Sequence, residues 1–555
     1  MKRPLVLLLL LVTVVAVHPA GQSQRPITPT VSADFVPPGE PVTLPAPLST
    51  MMAGLSARAI GTHIAALASP GFDGRGLGQR GLEATAEYIA AMLAVRGVPP
   101  LATPAIGSLA TAAYFQPVPM REITSAQGQL TIEVRRGHAL DTRTFLSGVD
   151  CLFQERPPQD LSGSVVFAGY GIRETTPLRD DYQDLDVKDR VVVVLGATPS
   201  GPDWDTDSLR AKYASDGRIR HEAKAALAAS LGARAVIAIE GEAFPTMLAS
   251  GRSAPAARYF VPYETGAVHD GTIPVIRVSA AVGNMLLASA GTSTGAAAHA
   301  RPQALAGVSV MARTTGTERL VIARNVVAAI PGSDAALRRE AVVIGAHMDH
   351  LGRTGDTVYP GADDNASGTA ALLEIAAAMA SAPQRPRRTV VFAFWTGEEE
   401  GHLGSEYYAQ HPLWPMEQTT VYLNLDMIGH PWTTEEIRSL VTGSGLENGA
   451  AFLATVKTDD FIELGVPPTA RDLDPVLTQV ARAAGLALHL DRTDGLHGGS
   501  DYRAFARKGR PFVRFFGNYF PGYHEPTDTP DQVDPAQVLK MARVALGAGW
   551  MMADR

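Results

Sequence analysis

The sequence predicts an α/β fold: a mixed, mainly parallel central sheet flanked by helices, interrupted by a β-rich module. Three observations point there. At 555 residues, 46% of them hydrophobic, the chain exceeds a single hydrophobic unit. From Asn325 onward apolar strands alternate with polar loops and helices, as in "AVVIGAHMDH", "ASGTAALLEIAAAMA", "RTVVFAFWTGEEE" and "TVYLNLDMIG". That alternation implies a mainly parallel sheet covered on both faces, with ligands gathering at the carboxyl ends of its strands. From about Leu146 to Val310 the texture is instead short β-branched runs, "GSVVFAGYG", "DRVVVVLG", "ARAVIAIEG" and "IPVIRVS", with one helical stretch, "HEAKAALAASLG".

The chain opens on Lys2 and Arg3, an apolar run from Leu5 to Val17, and small or polar residues from Ala20 to Ser23. This is the pattern of an export signal, assigned to residues 1–23, so a periplasmic or extracellular location is expected. The run is marginal for spanning a bilayer and no later stretch is long and apolar enough, so no stable membrane insertion is expected after signal removal. Residues 24–54 are rich in proline and small residues, which reads as a linker or a surface-hugging arm. Folding is expected to begin near Leu55. Apolar residues recur at helical spacing over Ser56–Leu67 and Glu83–Val95, separated by "GFDGRGLGQRG" and closed by Gly97 and Pro99.

The net charge is −8, which offers no broad basic face for nucleic acid or anionic lipid. Cys151 is the single cysteine, so no intrachain disulfide and no cysteine-based zinc cluster can form. A metal would have to use His, Asp and Glu.

Such residues stand where the strands end. His347 and Asp349 follow the first strand, Glu398 and Glu399 the second, and Asp426 closes the third. Buried strands ending in ionised carboxylates need partners or cations, and a metal site meets that need. The loop "GADDNASG" sets Asp363 and Asp364 before a helix, with Ser367 or Asn365 as its N-cap. Near the carboxyl end "GYHEPTDTPDQVD" supplies His524, and "GLHGGSDYRAF" holds His497 and Asp501, of which His497 ranks lower as a ligand. Oxygen and imidazole donors without thiolate suit zinc, cobalt or manganese.

The motifs "HMDHLG", "GADDNASG", "GEEEGHLGS", "LNLDMIG" and "YHEPTDT", in that order, resemble metallopeptidase family twenty-eight, the di-zinc aminopeptidases and their carboxypeptidase relatives. The resemblance implies a zinc-dependent exopeptidase fold with two zinc ions per chain. One would be held by His347, Asp364 and Asp426, the other by Asp364, Glu399 and His524, with Asp364 as the bridge and Asp363 set aside. Asp349 would accept the other N–H of His347. Glu398 matches the general base acting on a water held between the metals. Tyr523 resembles a tyrosine that in some members hydrogen-bonds the developing oxyanion. The β-rich segment resembles a protease-associated domain inserted into the catalytic domain. The expected organisation is therefore 55–145 and 313–555 as catalytic domain and 146–312 as insert. Two departures are His402, where the family pattern has leucine, and Tyr502, where many members have histidine.

The resulting expectation is an aminopeptidase acting on peptide or protein N-termini. Carboxypeptidase action, with Arg492, Arg503 and Arg514 available for a terminal carboxylate, is the first alternative. Cyclisation of amino-terminal glutamine on one zinc, and a non-catalytic binding protein, complete the set. The stretch 445–475 is the expected pocket-forming insertion.

Overall fold

The computed structural model describes residues 34–40, 42–102, 110–153, 159–215, 218–219, 221–241, 243–249, 258–263, 273–496 and 499–555. The export segment and His497 lie outside the described residues.

The strand Ala341–His347 sits at the centre of the catalytic part of the sheet, parallel to Thr389–Trp395 on one side and to Thr419–Asp426 on the other. Thr419–Asp426 is in turn parallel to Phe512–Phe516. Phe461–Val466 pairs antiparallel with Phe512–Phe516 and parallel with Ala487–Arg492, so the sheet is mixed and mainly parallel. Its inner strands are apolar along their length and buried on both faces, as parallel strands between helical layers must be. One face packs on Ala57–Leu67, Arg80–Val95, Gly368–Ala380 and Pro535–Asp554. The other carries an aromatic cluster of Trp395, Tyr408, Tyr422, Phe505 and Phe512.

A long antiparallel ribbon leads out of this sheet. Gln303–Ile330 pairs with Thr389–Trp395 through Val326–Ile330, and with Phe115–Arg136 from Val326 back to Val308. Beyond the ribbon four strands run parallel in the order Asp160–Phe167, Val191–Leu195, Ala235–Gly241, Val275–Ser279. They carry a hydrophobic cluster of their own. Leu130, Ile132 and Val134 already belong to it, so the insert's core begins before the expected boundary at residue 146. The reason is the ribbon: its first strand turns alternate side chains into the insert while its base stays in the central sheet.

The arm is more deeply woven than its composition suggested. Phe35 and Val36 pair with His489 and Leu488 at the sheet edge, and Ala46–Gly54 is helical. Leu48, Met51 and Met52, at helical spacing, are buried in the main core. Folded chain thus begins well before Leu55. No described helix is long and apolar enough to cross a membrane.

Candidate active site

Four neighbouring strands point their carboxyl ends the same way, and the acidic and imidazole residues meet there. His347 and Asp426 are the last residues of their strands, Glu398 and Glu399 follow Trp395, and His524 lies in the loop after Phe512–Phe516. Asp364 comes from the loop before the helix Gly368–Ala380. The two oxygens of Asp364 face two histidines: Oδ1 lies 3.3 Å from Nε2 of His347, and Oδ2 lies 3.2 Å from Nε2 of His524. Each histidine faces a second carboxylate. His347 Nε2 is 3.1 Å from Asp426 Oδ1, and His524 Nε2 is 3.1 Å from Glu399 Oε2.

These residues fit a metal pair on chemistry and spacing. Ligand atoms about 2.0–2.1 Å from one tetrahedral ion stand roughly 3.3–3.4 Å apart, and the donor atoms here are separated by 3.1 to 3.3 Å. His347, Asp364 and Asp426 form one such donor group, all buried. Asp349, Asp364, Glu398, Glu399 and Asp426 bring five buried or nearly buried carboxylates together. Divalent cations balance such a set where hydrogen bonds alone do not.

The titration of the cluster reflects this acidity. Burial alone would depress His347, but Asp426 and Glu398 push its pKa well above the ordinary imidazole value. Burial likewise disfavours charge on His524, yet hydrogen bonds to Asp364 and Glu399 raise it to about 10. Against the cost of burial, His350, His347 and His524 hold Asp364 well below the usual carboxylate range. Glu398 moves the other way. Burial, reinforced by Glu399, Asp426 and Asp501 and opposed by His347, pushes it well above an ordinary glutamate.

Asp349 differs from expectation in how it acts. The ring Nδ1–H of His347 donates to the main-chain carbonyl of Asp349 at 3.2 Å, while the Asp349 carboxylate lies 3.9 Å away. That carboxylate instead accepts the backbone N–H groups of Glu398 and Glu399 at 3.2 and 3.3 Å, pinning the turn that carries both. Nε2 of His347 points at Asp364 and Asp426. Burial raises Asp349 to about 6.

Asp363 faces away from the donor group, accepting from Gly429 N at 2.7 Å and pairing with His430 at 2.6 Å. Asn365 caps the helix, its Oδ1 accepting from Gly368 N, whereas the Ser367 hydroxyl turns back to the Asp363 carbonyl. Tyr523 stacks on His524 and lines the site cavity. Burial, with Asp364 and Glu399 adding, raises its phenol, so it remains a proton donor. His402 reaches Glu398 rather than a predicted ligand, with Nε2 3.3 Å from Oε1, and burial lowers it to about 3.

The cavity beside the donor group has a volume of about 260 Å³. Met427, Trp432, Phe516 and Tyr519 supply its apolar wall. From the stretch 445–475 only Glu463 lines it, because Phe461–Val466 is a strand of the central sheet and not a loop. Arg514 also lines it, held by Glu463 at 3.4 Å and Asp491 at 3.0 Å. Arg492 is engaged by Asp34 and Asp474.

Three supports were missed in the sequence. Arg75, fully buried, donates to the carbonyls of Met348, Leu67, Pro360, Gly361 and Asp364. Asp528 accepts the N–H groups of Asp363 and Asp364 at 2.9 and 3.0 Å. His350 bonds to Glu399 at 2.6 Å. The available signals were an arginine between two glycines, Arg75, and the polar residues flanking His347 and His524 in their own motifs.

Residues 325–548 match the family model described as Peptidase family M28. A probable leucine aminopeptidase of Arthroderma otae is 29% identical over 235 residues, covering 41% of this chain and 57% of the relative. Leupeptin-inactivating enzyme 1 of Streptomyces exfoliatus is 37% identical over 108 residues, 19% of this chain and 23% of the relative. The matches thus span little more than half of these relatives at most. Among solved structures, an aminopeptidase from Aneurinibacillus sp. strain AM-1 is similar over 92% of this chain and 96% of its own, at 17% identity and a TM-score of 0.49. The family match covers every residue of the donor group at the strand ends, so the segment 325–548 that carries the site is similar to peptidase family M28.

Proposed function

We propose that the chain is an exported aminopeptidase that uses two zinc ions to remove neutral or apolar residues from peptide N-termini. The observation that carries this reading is Asp364, whose two oxygens each face a histidine with a further carboxylate beyond it. His347, Asp364 and Asp426 would hold one ion, and Asp364, Glu399 and His524 the other. Zinc bound there supplies Lewis acidity toward the scissile carbonyl and toward water. Relatives named as aminopeptidases support the same reading.

The chain's own residues account for the rest. Glu398 is within 4.0 Å of His347 and is no part of either assigned ligand set. In its buried setting it is a base of raised basicity, suited to take a proton from the attacking water and return it to the leaving amine. Asp349 fixes the turn carrying Glu398, so the base keeps its aim without being a ligand. Tyr523, protonated and at the cavity wall, can donate to the oxygen that gains charge. Trp432, Phe516 and Tyr519 favour an uncharged side chain in the cavity.

Aminopeptidase action is favoured over carboxypeptidase action because Arg514 and Arg492 are already engaged by carboxylates. A terminal carboxylate would have to displace one of them. The segment inserted along the ribbon is proposed to be a protease-associated domain, and residues 1–23 an export signal. Aminoacyl-anilides and singly blocked dipeptides test the activity. Cleavage of carboxyl-blocked and not amino-blocked dipeptides is expected; the reverse pattern would contradict the reading.

A further inference from the structure

His350 is an imidazole of the cluster that the assigned ligand sets leave out, and it contacts a ligating carboxylate directly. It stands three residues beyond His347, and its side chain is fully buried. Nδ1 lies 2.6 Å from Oε1 of Glu399 and 3.7 Å from Oδ2 of Asp364. A carboxylate only accepts, so Nδ1 carries the proton. Glu399 is thereby divided: Oε1 is taken by His350, while Oε2 faces His524 at 3.1 Å.

The ring has little freedom to do anything else. Gly361 has φ +60°, and a Cβ there would come within 2.5 Å of Cγ and Cδ2 of His350, so only glycine leaves room for the ring. The backbone N–H of His350 donates to the carbonyl of Arg75, the residue that also gathers the carbonyls of Gly361 and Asp364. The imidazole is thus set rigidly against one oxygen of one carboxylate.

We propose that His350 is a positioning residue for the ion site formed by Asp364, Glu399 and His524: it restrains Oε1 of Glu399 so that Oε2 alone is presented to the cation. The inference rests on the two-ion reading above. A hydrogen bond from outside the ligand set that orients a ligating carboxylate typically changes metal affinity about 10–100-fold. The effect should fall mainly on that ion, because the hydrogen bond of His350 goes to Glu399, which belongs to that ligand set alone, while Asp364 lies farther off at 3.7 Å.

Zinc binding by the purified full chain, stripped and then titrated calorimetrically, tests this. Wild type is expected to take up two ions. His350→Phe, which keeps a ring and loses the donor, should bind one ion normally and the second, held by Asp364, Glu399 and His524, about 10–100-fold more weakly than wild type. His350→Asn, whose amide can replace Nδ1–H, should recover most of the second site. Second-ion affinity in His350→Phe within twofold of wild type would overturn the proposal. Equal loss in both variants would overturn it too, since that requires the ring nitrogen itself as a ligand. A wild-type chain that binds a single ion overturns the two-ion reading, and the inference with it.

Discussion

Oδ2 of Asp364 lies 3.2 Å from Nε2 of His524, while the other oxygen of the same carboxylate faces His347. One side chain therefore belongs to both halves of the site. Asp364→Ala is expected to abolish binding of both ions, where His524→Ala should spare the one near His347. Activity of Asp364→Ala should fall roughly 10³-fold or more. Metal analysis beside kinetics checks this, and retention of both ions by Asp364→Ala would contradict it.

Glu398 sits in the cluster without belonging to either assigned ligand set. Glu398→Ala should lower kcat by about 10²–10⁴-fold while leaving metal content unchanged. The wild-type pH profile follows from the same environment. Burial, Glu399 and Asp426 hold the proton on Glu398, and the base works only when ionised. Activity should therefore fall as pH drops through a value above the ordinary glutamate range. An acid limb at or below that range would contradict the assignment.

Arg75 ties five carbonyls around the loop of Asp364. Arg75→Met leaves those acceptors unpaired in a buried setting, and a loss on the order of 3–5 kcal/mol in denaturant stability is expected. Arg75→Lys should rescue little, because one ammonium cannot span the positions that the guanidinium fork reaches.

Lys224 lies buried in the inserted segment, donating to the carbonyls of Leu195 and Ala197. Burial lowers its pKa to about 7 from 10.5. Between those values the unfolded chain binds the extra proton, so this group makes folding more favourable as pH rises from 7 toward 10. Denaturation midpoints of wild type should rise over that window relative to Lys224→Met. Parallel pH profiles for the two would contradict it.

The central sheet was legible because its strands are apolar and stop abruptly at His347, Glu398 and Asp426, which also exposed the candidate site. Residues that act through the backbone were not. Arg75 and Asp528 bond to carbonyl and N–H groups, and those contacts exist only once distant loops are folded together. The Asp349 carboxylate departs from expectation for the same reason, since it accepts from the backbone of the Glu398 turn and lies 3.9 Å from the ring of His347. The helix inside the arm was not legible because Leu48, Met51 and Met52 are a short apolar stripe inside a proline-rich stretch.

The two-ion centre is tested most directly by anomalous diffraction at the zinc edge from crystals of the purified chain. Two peaks are expected on either side of Asp364, one beside His347 and Asp426 and one beside Glu399 and His524. A single peak, or none within coordination distance of Asp364, would contradict the account.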